Sequence, residues 1–425
     1  MTTVLVTGVS GLARQKLFER LNGQVRHFDL GDTMRRIADE RRLPYTDANI
    51  LRAPAAALTV LRAAAIEQLM HGLLADHADD RPCIISTSAL FLLKDRITEG
   101  LTAADLDAIN PDLVITLIDG PQDIHERLKA HTGEYFHLTV EAVVRWQEFE
   151  VFFSHHLAGD RKVPHFVVPI NQPETFLSLV LGENKPIVYA SYPMTHLPAD
   201  QRPLKDAFVQ RLKESCIVFD PAAIEDALLS APYYEASDLR AIRDHTIVRD
   251  LDWFIGINAQ AVVAYWPGIV FSSGMNDELR YAYENGRETY MIVDALSAGT
   301  VPKYSPFTTY KSKMFWSADD FFDFLNEPPK LRHAFLIMQD EIVALLSQVQ
   351  ETGRDFTREQ FRHQCKMRLH NNMPEADIKA LNGELDKLAD RIYERWSEVR
   401  TASKESYAAA HGSVHKKAAE SEKPR

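Results

Sequence analysis

The sequence predicts an α/β protein made of two parallel-sheet, three-layer domains followed by a C-terminal helical segment. Three observations carry this. Short apolar runs alternate with helical stretches from residue 3 to residue 168. The alternation restarts at Gly182-Glu183-Asn184-Lys185-Pro186 and runs to Val293. Beyond Glu327-Pro328-Pro329 only helical apolar spacing remains. The expected domains are 1–180 and 184–328, then a helical region 329–400 and a disordered tail 401–425 that lacks an apolar face.

The elements follow in order. Thr3–Thr7 is a short apolar strand, Gly8–Gly11 a turn and Leu12–Leu21 a helix. Val25–Asp29 is a second strand and Gly31–Arg41 a second helix. Cys83–Ser86, Leu113–Leu117 and Pro164–Val168 are further buried strands, with a long helix over 139–156. In the second half the strands are Ile187–Ala190, Cys216–Phe219, Ala261–Ala264 and Thr289–Val293, with helices at 204–215 and 250–256. Helices are expected at 331–349, 357–370 and 375–399. Their apolar stripes suit packing on their own domain or a homodimer or higher homo-oligomer.

Composition narrows the function. A formal net charge of −12 argues against broad nucleic-acid binding, which needs a basic face. It leaves room for a small anion held by local cations. Cys83, Cys216 and Cys365 are far apart, make no metal spacing, and read as buried thiols in a reducing compartment. The N-terminus runs straight into a strand, with no signal peptide, and no apolar run reaches 18 residues, so a cytoplasmic protein without a membrane span is expected. No metal site is expected. His155, His156 and His165 read as surface or packing histidines, and Met34, Met194 and Met275 as packing residues.

A strand, the turn Gly8-Val9-Ser10-Gly11 and a helix are where a phosphate-binding loop sits. Gly8, Ser10, Gly11 and Arg14 are its candidate phosphate-binding residues. Counted from Gly8, Ala13 stands at the second glycine, Arg14 at the lysine and Gln15 at the magnesium-binding hydroxyl. Arg14 binds phosphate as a planar fork rather than as a point charge. Further stretches extend the pattern: "VLVTGVSG" (4–11), "HFDLGDTMRRIADERRL" (27–43), "LDAINPDLVITLIDG" (106–120) and "VPHFVVPINQPE" (163–174). On these residues the first domain resembles the archaeal-type adenylate kinases. The resemblance implies a P-loop kinase-like fold and a site for ATP or another nucleotide, with magnesium. The family's acidic residue at the end of the third strand is Ser86 here. The departures fall on catalytic positions, so they favour nucleotide binding over phosphoryl transfer.

In the second half three segments stand together: Lys185–His196, Arg249–Asp252 with Ala261–Trp266, and Ser272–Gly286. The first puts Tyr189 and Ser191 at the carboxyl edge of a parallel sheet, where α/β folds bind ligands. "VYASYPMTH" (188–196), Gly274 with Glu278 four residues on, Arg280-Tyr281-Ala282, the turn and strand 286–293, Ser305-Pro306-Phe307 and 315–325 resemble the nucleoside 2-deoxyribosyltransferase superfamily. That superfamily includes nucleotide 5′-phosphate N-glycosidases. The resemblance implies a flavodoxin/Rossmann-type domain that cleaves a base–sugar bond with no cofactor, its pocket completed across subunits. Glu278 takes the role of the carboxylate beside C1′. Ser272, Ser273 and the Gly274 amides would meet a 5′-phosphate or 5′-hydroxyl, and Tyr189 and Ser191 would line the pocket. Asp252 and Asp277 are candidates for orienting the substrate or protonating the leaving base. Gln260 stands where many relatives carry aspartate, Tyr192 replaces a glycine, and Trp266-Pro267-Gly268 adds bulk.

Each residue has a blander role. Glu278 suits a charge in a first helical turn, Tyr189 a core aromatic, Asp252 a solvated helix charge, and the two serines a helix cap. The leading function is cleavage of a nucleoside 5′-monophosphate, with a second nucleotide bound by the first domain. The alternatives are an NAD-type glycohydrolase, a non-catalytic nucleotide sensor and an active nucleoside monophosphate kinase.

Overall fold

The computed structural model describes residues 2–45, 53–75, 79–93, 96–131, 138–194, 197–224, 236–268, 272–294, 312–352, 356–381, 383–398 and 401. The stretch 305–307 and all but the first residue of the expected tail lie outside them. The chain divides into two compact units. Unit 1 is Met1–Ile187 with Ile217–Ala259, and unit 2 is Val188–Cys216 with Gln260–Arg425.

Unit 1 begins β1 (Thr3–Thr7), α1 (Arg14–Arg20), β2 (Arg26–Asp29), α2 (Leu30–Glu40), α3 (Ala55–Ala75) and β3 (Cys83–Ser86). A hairpin of β4 (Leu90–Leu93) and β5 (Arg96–Glu99) follows, then α4 (Ala103–Ile109), β6 (Leu113–Ile118), α5 (Pro121–His131), α6 (Val140–Asp160), β7 (His165–Pro169) and α7 (Pro173–Val180). The sheet order is β2-β3-β1-β6-β7, all parallel. Leu5 pairs with Ile85 on one side and Val114 on the other. β1 and β6 are buried along their whole length, which is why they are continuously apolar rather than alternating. One core cluster gathers Leu5, Ile37, Ile66, Ile85, Leu106 and Val114. A second gathers Val9, Ile124, Leu128, Val143 and Trp146.

The chain then supplies β8 (Ile187–Ser191) and α8 (Arg202–Ser215) to unit 2. It next gives unit 1 a further strand, β9 (Ile217–Phe219), then α9 (Ala236–Ile247) and a π-helix over Val248–Asn258. Sequence reading places one boundary near residue 184; residues 217–259 group with unit 1, although β9 lies beside β8 in the second sheet, as the sequence places it. Polar side chains explain the grouping. The Asn258 amide accepts from the Val167 N–H at 2.9 Å and donates to the Val167 carbonyl at 2.6 Å, prolonging the hydrogen bonding of β7. Gln172 donates to the Asp220 carbonyl and Thr175 to the Val218 carbonyl.

Unit 2 continues with β10 (Ala261–Trp266), α10 (Ser273–Glu284), β11 (Glu288–Val293) and β12 (Lys313–Phe315). The second sheet has five strands in the order β12-β11-β10-β8-β9, with the β12–β11, β11–β10 and β10–β8 pairings parallel. α11 (Ala318–Asn326), α12 (Pro329–Thr352), α13 (Arg358–Asn372), α14 (Glu375–Ala380) and α15 (384–398) follow. The single helix expected over 375–399 is broken at Gly383, whose φ of +87° suits glycine and leaves the helical region. The helices pack on their own unit: Phe335 stacks on Phe315, and Gln339 donates to the Met314 carbonyl. Among the described residues no helix is long and apolar enough to cross a membrane.

Candidate functional site

In unit 1 the loop after β1 leaves the middle of the parallel sheet, flanked by β3 and β6, at the carboxyl edge. A Cβ on Gly8 would lie 2.5 Å from Leu12 Cδ1 and 2.9 Å from the Leu117 carbonyl oxygen. Gly11 has φ +87°, and a Cβ there would lie 2.7 Å from Leu128 Cγ. The two glycines are therefore required by packing as well as by turn geometry. α1 starts at Arg14, so Ser10 stays in the loop, and Gln15 is exposed.

The Arg14 guanidinium donates to the Thr87 carbonyl at 2.7 Å. Burial lowers its pKa, while Asp29 and Glu150 favour its charge. Ser86 donates to Asp29 Oδ2 at 2.9 Å and lies 2.8 Å from His27 Nε2. The carboxylate expected on the third strand thus stands one strand over, on Asp29, whose other oxygen accepts from the Asp32 N–H and caps α2. A cavity of about 290 Å³ opens beside the loop, lined by Ser10, Met34, Arg35, Leu58, Thr87 and Phe91 among others. Arg62, also on its wall, is engaged by Asp105 at 2.7 Å.

Sequence reading placed the helix behind these loops but passed over its polar residues. Gln147, Glu150 and Ser154 of α6 are all buried. Gln147 exchanges two hydrogen bonds with the Asp119 backbone. Glu150 Oε1 accepts from the N–H of Gly8 at 2.8 Å and of Ala89 at 2.7 Å, and Oε2 from that of Leu90 at 2.7 Å. Ser154 lies 2.9 Å from Thr7 Oγ1, which lies 2.7 Å from Thr116 Oγ1. Thr116 reaches the buried His165 at 2.8 Å, and His165 meets His155 at 3.1 Å. The signal was present as three polar residues at helical spacing on an otherwise apolar face.

In unit 2, Tyr189 and Ser191 are two apart on β8 and so face the same side. Both are buried, opposite Val262 and Ala264 of β10. Tyr189 donates to Glu278 Oε1 at 3.0 Å and Ser191 to Glu278 Oε2 at 2.5 Å. The half-buried carboxylate therefore has both oxygens fixed by hydroxyls, an arrangement that can face developing positive charge.

The surroundings differ from expectation in detail. α10 starts at Ser273, so Gly274 lies inside the helix and Glu278 is beyond the first turn, which holds no acid. A macrodipole role is correspondingly weak, because that effect fades within the first turn. Ser272 is the N-cap, its Oγ accepting from the Met275 N–H at 3.3 Å. Ser273, Gly274, Asp277 and Gln260 are exposed, and Asp277 pairs with Arg280 at 3.3 Å. Asp252 is an exposed residue of the π-helix in unit 1. Among the described residues no cluster of three or more histidine, cysteine, aspartate or glutamate side chains could hold a metal ion.

Residues 10–137 match the family model described as an AAA domain, so unit 1 contains a P-loop NTPase domain of the AAA type. The match lies wholly within unit 1. No curated protein matches the chain. A solved structure, that of TT1252 from Thermus thermophilus, aligns at 12% identity over 43% of this chain and 98% of that one, with a TM-score of 0.29.

Proposed function

We propose that unit 1 is a nucleotide-binding module, of degenerate adenylate-kinase type, that transfers phosphoryl groups poorly. The observation that carries this is Arg14. The cation in the lysine's place is turned onto the Thr87 carbonyl, and the neighbouring Gln15 supplies no hydroxyl for magnesium. Ser10, the loop amides and Arg14 would hold phosphates, and Asp29 is the nearby carboxylate that would face a magnesium ion. When bound, that ion would screen phosphate charge. The test is calorimetric titration with ATP and AMP, followed by incubation with both and magnesium. Binding without ADP formation is expected. Steady conversion of ATP and AMP to ADP refutes the reading.

A second reading is favoured by Tyr189, Ser191 and Glu278 converging in unit 2. It is cleavage of the base–sugar bond of a nucleoside 5′-monophosphate. The C1′–N bond breaks, its electron pair leaves with the base, and Glu278 stabilises or captures the positive C1′ before water or another base completes the exchange. Incubation with nucleotides, nucleosides and NAD, with chromatography for free base, tests it. Nicotinamide release would point to a dinucleotide substrate. No base from any of them would leave the nucleotide-sensor reading.

A further inference from the structure

The loops that frame the unit 1 cavity are held by one side chain. Gly8 is two residues from Ser10, and Ala89 and Leu90 lie between Thr87 and Phe91; Ser10, Thr87 and Phe91 line the cavity. Glu150 takes one N–H from the first loop and two from the second. It is almost wholly buried, at 1% exposure, on the helix whose Gln147 also fixes the loop after β6. Trp146, one turn back, donates to the Leu90 carbonyl at 3.1 Å. The Ala89 carbonyl accepts from Gly100 and Leu101, carrying the tie to a third segment of the cavity wall.

We infer that Glu150 is a positioning residue for the nucleotide site: its carboxylate locks the β1–α1 and β3–β4 loops into one arrangement, and its protonation releases them together. Only the ionised carboxylate has acceptor capacity for three N–H donors without placing its own O–H against one of them. Burial outweighs these hydrogen bonds and pushes Glu150 up to about 7. Arg14, on α1, is the charged side chain that opposes this, and Asp29 at the end of β2 acts in turn on Arg14. The loop after β1 and the β3–β4 loop present backbone N–H groups, and α6 carries the uncharged Gln147 and Ser154 one turn to either side. As pH falls through 7 the lock opens, and it closes again as pH rises. This inference rests on nucleotide binding by unit 1.

The experiment compares the full-length wild type with Glu150→Gln at pH 8 and pH 6. Hydrogen exchange is followed in peptides over 6–12 and 87–92, and ATP affinity by calorimetry. The amide keeps the side chain's shape but turns an NH2 toward an N–H. At pH 8 both segments should exchange faster in the variant, and ATP should bind about tenfold more weakly. At pH 6 only about a tenth of the wild-type carboxylate is ionised, so the two proteins should converge in both readouts. The comparison at each pH cancels intrinsic exchange rates and the titration of ATP itself. Equal protection in both proteins at pH 8 overturns the inference. So does a constant affinity ratio, which a merely structural role would give. If wild type binds neither ATP nor AMP, the nucleotide reading falls, while the exchange pattern still decides whether Glu150 locks the loops. Should the variant not fold, the same segments in wild type are compared with residues 113–118 of β6. Selective loosening below pH 7 supports the lock, and uniform behaviour refutes it.

Discussion

Replacing Glu278 by glutamine removes one negative charge and almost no volume. The amide can still accept from one of the two hydroxyls, Tyr189 or Ser191, and donate to the other, so the local fold should survive. What is lost is the attraction between the carboxylate and a positive C1′. For unit charges about 4 Å apart in a half-buried site, an effective dielectric near 20 makes that attraction roughly 4 kcal/mol. Each 1.36 kcal/mol is tenfold in rate, so base release should fall about a thousandfold. Tyr189→Phe and Ser191→Ala each leave the charge but free one oxygen, and should cost roughly tenfold through misorientation. The assay is chromatographic detection of free base from the best substrate, with circular dichroism as the control for folding. A Glu278→Gln protein that turns over within tenfold of wild type would refute the electrostatic argument, whatever the two hydroxyl variants do.

The remaining predictions separate stability from specificity. Ser272→Ala removes the N-cap of α10 and should lower stability by about 1 kcal/mol, read from urea unfolding, without changing substrate preference. Ser273→Ala touches no cap; if a 5′-phosphate is bound there, it should cut the preference for monophosphate over nucleoside by about tenfold, the scale of one charge-assisted hydrogen bond. An unchanged ratio in the Ser273 variant would remove the phosphate from this helix start. Burial, with His155 as a lesser cause, holds His165 down to about 3, against an ordinary value near 6.5. Its neutral form is therefore favoured in the fold. That contribution is fully present above pH 6.5 and is lost as pH falls toward the folded value. Between pH 7 and pH 4.5 the loss should be roughly 3 kcal/mol, and His165→Asn should flatten the pH dependence of the urea midpoint. Parallel profiles for the two proteins would show that His165 does not drive it.

The main strands were legible from sequence because they lie buried in largely parallel sheets, whereas the β4–β5 hairpin and β12 were not. Runs such as Leu113–Ile118 have no polar face to confuse with a turn. Helix ends were less legible, because they depend on single side chains. Ser272 rather than Gly274 sets the start of α10, which moves Glu278 out of the first turn. The interleaving of the units was hidden for a similar reason: Asn258 bonds to Val167, 91 residues away, and no local pattern announces it. Tyr189, Ser191 and Glu278 were legible because two of them share the alternation of one strand and the third follows a recognisable loop. Glu150 was not, since a lone glutamate in a long helix reads as a solvated charge until its burial is known.

The departures at Arg14 and, on β3, at Ser86 look, in sequence, like separate losses. In the fold both have an internal partner. Arg14 has the Thr87 carbonyl, and Ser86 has Asp29 and His27. Asp29 also caps α2, and Glu150 holds Gly8. A working phosphate loop keeps its charged and polar groups free for phosphate and metal, which then supply the missing charge. Here the polar groups have been turned on one another, so the loop is ordered before any ligand arrives. Such an arrangement costs little reorganisation on binding and so suits holding a nucleotide. It suits transfer badly, because a transition state needs new charge stabilisation from groups that are already engaged. Restoring lysine at Arg14 alone would leave Gln15 without a hydroxyl and Ser86 donating to Asp29, so phosphoryl transfer should not return with that one change.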